Sequence, residues 1–353
     1  MADQSCREKI MSQEYWDFLI PNYRENQIGG LEAGEYCSQE GDHGYRVLYL
    51  KAEGRGSLSF YEYGYHSIPN CYAPLDMDAV NTAGISAVQN FPTLMTMGEG
   101  IMIGFVDTGI DYTNPVFRTL DGRTRIAGIW DQTLGNGTPP QGFDYGSAFS
   151  EEQINEALRE EDPLELVPST DVEGHGTFLA SVACGSADPV HRFVGAAPES
   201  KIAVVKLKPA KDYLKAFYAI RPDAPCYQEN DIILGLAYLN RLAEQEQMPL
   251  VICLAMGTNF GGHNGSTLLP ALLDTYAYTM DRAVVIGGGN EAANRHHFHH
   301  RFLENQESVT AEIRVGEGVA GFSAEIWARL PDVVTVALIS PSGERTSPIS
   351  LRQ

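Results

Sequence analysis

The chain carries Ile101-Met102-Ile103-Gly104-Phe105-Val106-Asp107-Thr108-Gly109-Ile110-Asp111, an unbroken apolar run closed by an acid. No polar residue alternates within 101–106, which predicts a strand covered on both faces, as in a parallel sheet flanked by helices. The carboxylate of Asp107 stands where that strand ends, the edge at which such sheets place their ligands. Further along, Glu173-Gly174-His175-Gly176-Thr177 opens the helical stretch 178–183. An acid at a strand end and an imidazole at a helix start are two parts of a hydrolytic triad. There the acid fixes the imidazole tautomer and the imidazole takes the nucleophile's proton.

Outward from these motifs, residues 202–207, 250–254 and 283–286 are further continuous apolar strands. Between them Ile232, Ile233, Leu236, Leu239 and Ala243 share one helical stripe, and Leu268, Leu269, Leu272, Tyr276 and Met280 share another. Strands alternating with amphipathic helices define an α/β, doubly wound parallel-sheet core over residues 71–300. After His300 the period changes to two: Val309, Ala311, Ile313 and Val315 alternate with polar residues, and 322–330 and 333–339 predict further short strands around the turn 340–344. Residues 301–353 are thus expected to begin an antiparallel β unit. Residues 1–70 form a separate small α+β unit, with a helix expected at 12–19 and strands at 45–50 and 57–63.

Bulk properties exclude several partners. The 353 residues are 43% hydrophobic and 20% charged, an ordinary globular composition. A formal charge of −21 disfavours nucleic acid and anionic membrane. No apolar run is long enough to span a bilayer, and the first residues show no secretory signal. The six cysteines lack CxxC spacing and are expected to be free thiols. His296, His297, His299 and His300 share no single helical face and lack an obvious carboxylate or thiolate partner, so no metal site is expected.

The order Asp107 then His175, with these flanking residues, resembles the subtilisin-like serine proteases, the subtilases. The closer resemblance is to their clostridial type, which includes the Csp spore-germination proteases. It is carried by Asp111-Tyr112-Thr113-Asn114-Pro115, Ile129-Trp130-Asp131-Gln132-Thr133, Tyr227-Gln228-Glu229-Asn230-Asp231 and Gly257-Thr258-Asn259. The resemblance implies a serine endopeptidase that cleaves peptide bonds through an acyl-enzyme, with Asp107 as the acid and His175 as the general base. Asn290 is implied to donate to the oxyanion, and Gly287, Gly288 and Gly289 to line the adjoining specificity pocket. Ala255, Met256 and Gly257 are implied to form the strand that pairs with substrate, Ala255 replacing the usual Ser. Residues 1–70 are implied to be a propeptide that chaperones folding and inhibits, its end near Tyr65-His66-Ser67-Ile68-Pro69 lying through the cleft. The β unit of 301–353 is implied to be the start of a jelly-roll-like insertion. Partners are then a peptide or protein substrate and the chain's own propeptide, with no cofactor, and with no secretory signal the implied location is cytoplasmic or spore-associated.

The family's nucleophile motif, Gly-Thr-Ser-x-Ala-x-Pro, does not occur in these residues. Gly265-Ser266-Thr267 inverts the order, and Arg345-Thr346-Ser347-Pro348 lacks the Gly before and the Ala after. The expectation is a C-terminally truncated portion of a longer protease, inactive alone. The rival readings are a pseudoprotease or germination signalling scaffold without catalysis and, from the glycine run at 287–289, a nucleotide-binding α/β protein. No βαβ fingerprint surrounds that run.

Overall fold

A computed structural model describes residues 4–22, 35–42, 44–74, 96–188, 190, 193–291, 294–319, 321–329 and 332–350. At the N-terminus, helix α1 (Gln4–Met11) packs on an antiparallel sheet of β1 (Tyr15–Pro21), β2 (Tyr36–Glu40) and β3 (Tyr45–Lys51), in the order β1-β3-β2. The expected helix at 12–19 is therefore a correction. Trp16, Phe18 and Leu19 are buried in a strand, because β-forming residues here have β3 as a partner. The expected strand at 57–63 is also corrected. Ser59 accepts a hydrogen bond from the Tyr61 amide and caps the short helix α2 (Phe60–Tyr63). Cys6 and Cys37 are disulfide-bonded with Cα atoms 5.5 Å apart, against the expectation that all thiols are free. Docking of α1 on β2 brings them together, a proximity their wide separation in sequence conceals.

The next strand is β4 (Cys71–Pro74), after which the central sheet begins. It comprises β5 (Met102–Asp107), β6 (Ile126–Asp131), β7 (Ser147–Ser150), β8 (Lys201–Lys206), β10 (Leu250–Leu254) and β12 (Arg282–Ile286). Their order is β12-β10-β5-β8-β6-β7, all parallel except the edge strand β7. The strands expected at 101–106, 202–207, 250–254 and 283–286 all lie in this sheet.

Every residue of β5 is buried, and alternate side chains part to two cores. Ile103 and Phe105 join the layer containing helices α3 (Glu151–Ala157) and α4 (His175–Cys184). Met102 and Val106 join the opposite layer with α6 (Glu229–Gln245) and α7 (Leu268–Tyr278), while the shorter α5 (Asp212–Phe217) belongs to the N-terminal side. Gly104 lets α6 approach: a Cβ there would stand 2.8 Å from Leu239 Cδ1. The stripe on α7 ends at Tyr276, and Met280, beyond the helix, is exposed. Chain order reverses direction between β5 and β10, so the crevice at their carboxyl ends is where a ligand belongs.

A second sheet crosses this crevice. β11 (Met256–Gly257), β4 and β9 (Tyr227–Gln228) pair antiparallel in the order β11-β4-β9. Near the C-terminus, β13 (Thr335–Val336) and β14 (Ile349–Ser350) pair, and Ile339 bridges Arg345 across the turn at Ser340 to Glu344, which a 2.8 Å backbone bond closes. Residues 309–315 are not in a strand, although they alternate; a strand needs a neighbour to bond to, and none is supplied among the described residues.

Candidate active site

Asp107 and His175 meet at the crevice. Asp107 ends β5, fully buried, and turns its carboxylate toward the α4 layer. His175 is the first residue of α4, held there by Gly174 in the left-handed conformation. The Asp107 Oδ1 atom lies 2.7 Å from His175 Nδ1 and also accepts the Thr108 amide at 2.7 Å. An acceptor on Nδ1 fixes that nitrogen as the donor and leaves Nε2 as the basic one. Imidazole is partly exposed and its carboxylate is not, with side-chain exposures of 17% and 1%. A buried carboxylate beside an accessible imidazole is the electrostatic requirement for stabilising an imidazolium.

Asp171, which sequence reasoning missed, organises the loop between the two. It accepts Thr108 Oγ1 at 2.8 Å, the Gly174 amide at 2.9 Å, and both the amide and hydroxyl of Thr177 at 2.8 and 2.7 Å. Thr108 Oγ1 in turn accepts the Gly176 amide at 2.9 Å, tying the acid motif to the base motif. Burial pushes the Asp171 carboxyl up, but these donors outweigh it and hold it below its ordinary value. Its spacing before Thr177 is the signal that could have found it, since an acid there accepts the free amides of a helix start.

Tyr227 belongs to one of the motifs that carry the sequence resemblance, and its place in the fold is beside the dyad. Its hydroxyl donates to Glu173 Oε1 at 2.9 Å, two residues before His175, while its backbone pairs with Tyr72 of β4. The strand from the N-terminal segment therefore runs beside the dyad. It is 71–74 that does so. The expected span 65–69 instead forms a 3₁₀ turn (Tyr65–Ser67) followed by buried Ile68.

The other predicted residues lie at the same sheet edge. Ala255 and Met256 are buried, and Met256 and Gly257 pair with Pro74 and Ala73 respectively. Gly287 follows β12 and its amide donates to Leu254 O at 3.1 Å; Gly288, Gly289 and Asn290 are exposed beyond it. Cys253, in β10, is not an alternative nucleophile, since burial and then the Asp107 charge push its thiol up to about 11. The two serines considered for the nucleophile lie elsewhere: Ser266 donates to Asn264 Oδ1 at 2.6 Å in the turn before α7, and Ser347 is exposed beside the terminal hairpin. Among the described residues no group of three or more His, Cys, Asp or Glu could hold a metal.

The subtilase family model matches residues 98–348, well over half of the chain, so the chain belongs to the subtilase family. Among solved structures it is similar to the CspB protease of Clostridium perfringens, with a TM-score of 0.58 and 31% identity over 76% of this chain and 52% of that one. It is also 36% identical over 128 residues to the subtilisin-like protease SBT2.4 of Arabidopsis thaliana, and 35% identical over 127 residues to SBT2.1 of the same plant. Each of those alignments covers 31% of this chain and 15% of the relative. The chain thus spans about half the length of the solved relative and much less of the plant ones.

Proposed function

We propose that this chain supplies the acid, the base and the substrate groove of a serine endopeptidase that works through an acyl-enzyme. The observation that carries it is the 2.7 Å contact between Asp107 and His175 at the mouth of the groove. Asp107 holds the imidazole and stabilises its charged form, His175 takes and returns the nucleophile's proton, and Asn290 donates to the oxyanion. Met256 and Gly257 pair with the backbone of an extended peptide, and Gly287 to Gly289 border the pocket beside the cut bond. The N-terminal unit acts as a propeptide whose exit strand, β4, fills the groove in the manner of a substrate. An intact dyad, with a buried acid, an accessible base and its own organising loop, supports chemistry over a purely scaffolding role.

No serine of these residues has the nucleophile's sequence context, and on this reading the 353-residue chain forms no acyl-enzyme by itself. Treating the isolated chain with a fluorophosphonate probe tests this: no labelling is expected, and a labelled serine would overturn it. In protein that also carries the nucleophile, His175→Ala should lower kcat by roughly a million-fold, the scale reported for loss of this base in subtilisin. A loss below tenfold would sink the catalytic assignment.

A further inference from the structure

The groove contains a group that the triad does not use. Glu229, the first residue of α6, is buried with its carboxylate against the N-terminal strand. Oε2 accepts the Asn70 amide at 3.1 Å and Asn70 Nδ2 at 3.3 Å; Oε1 accepts the Tyr72 hydroxyl at 3.2 Å and the Leu269 amide at 3.3 Å. The Glu229 amide returns a bond to Asn70 O at 2.8 Å. Three of the carboxylate's four donors therefore arrive with the strand, and only the Leu269 amide, in the first turn of α7, belongs to the core.

Residues two apart in an extended chain share a face, so one carboxylate can read Asn70 and Tyr72 together while Cys71 joins a different buried cluster. Tyr72 lies in the same buried apolar cluster as Met256, Leu268 and Leu269. An aromatic body with a polar tip suits such a slot, and a purely apolar side chain would leave a buried carboxylate oxygen short of a donor. We propose that Glu229 is a specificity-determining residue, selecting extended peptides that carry an amide side chain at the Asn70 position and a phenol at the Tyr72 position. This rests on reading the β4 groove as the substrate groove, with β4 standing in for the substrate.

Amide hydrogen exchange of residues 70–74 in the full chain tests it, comparing wild type, Tyr72→Phe, Glu229→Leu and the double variant. Tyr72→Phe should exchange on the order of tenfold faster, the scale of losing a donor to a charged acceptor. In the Glu229→Leu background the same change should be about neutral or protective, because the hydroxyl no longer has an acceptor. If Glu229→Leu does not fold, Glu229→Gln keeps the volume with a neutral acceptor and should reduce the Tyr72→Phe effect to roughly threefold. Equal exchange in wild type and Tyr72→Phe, or an undiminished effect in either Glu229 background, overturns the inference and leaves the groove reading standing. Rapid exchange of residues 70–74 in the wild-type chain overturns the groove reading itself.

Discussion

Gly176 is the tightest residue of the site. A Cβ there would stand 2.2 Å from Gly109 O and 3.2 Å from Asp107 Oδ1, so a methyl group cannot enter without parting the two motifs. Gly176→Ala should destabilise the chain by about 1–3 kcal/mol and weaken the dyad contact. A thermal melt reads the first effect, and loss of the downfield His175 Nδ1 proton resonance reads the second. Asp171 gives the site an acid limit. Its folded pKa is depressed below the ordinary 3.8, so its stabilisation is fully present above that value and is lost as pH falls through the lower folded value. Asp171→Asn should lower stability at pH 7 and flatten the dependence below pH 4, measured as denaturation midpoints across the acid range. The dyad was legible from sequence because each residue sits at a junction with a local signature, a strand end or a helix start. Asp171, Glu173 and Glu229 were not, since an acid in a loop or at a helix start is common, and only the fold shows which donors converge on it.

At the level of elements, what could be read was what is locally complete. The parallel strands declare themselves by continuous burial, and α6 by its stripe. β4 has no such mark: Cys71-Tyr72-Ala73-Pro74 is short, and its partners are two-residue strands distant in the chain on either side. The misreadings near the N-terminus have the opposite cause. Alternation at 57–63 was a local pattern that a Ser59 cap overrode, and 12–19 looked helical until β3 supplied a ladder. Because 71–74, and not 65–69, pairs in the groove, processing should cut on the carboxyl side of Pro74. N-terminal sequencing of the processed protein checks this, and a start before Cys71 would contradict it.

Across the whole molecule, the N-terminal unit is joined to the core through a buried ionic knot. Lys211 Nζ lies 2.6 Å from Asp17 Oδ1, and Asp17 Oδ2 accepts Gln228 Nε2 and Asn230 Nδ2 at 3.1 and 3.3 Å. Beside it Lys208 pairs with Asp231 at 2.7 Å, and the Tyr145 hydroxyl donates to Asp231 at 3.1 Å. Gln228, Asn230 and Asp231 come from the motif that carried the closer resemblance, whose buried role could not be seen without the partner strand β1. Asp17→Ala strands the Lys211 charge and should cost about 3–5 kcal/mol. Its sign would be a lower melting midpoint and faster proteolysis of residues 1–70; an unchanged midpoint would count against the knot. β4 continues from the unit so anchored, and on the proposed reading of the groove this makes it a tethered competitor. A ligand on a short tether acts at millimolar effective concentration however modest its own contacts. Severing the chain after β4 would not dilute it, because its anchor stays docked. Access for a second peptide would then be governed by the lifetime of the docked N-terminal unit, and digestion of that unit would open the groove where dissociation is slow.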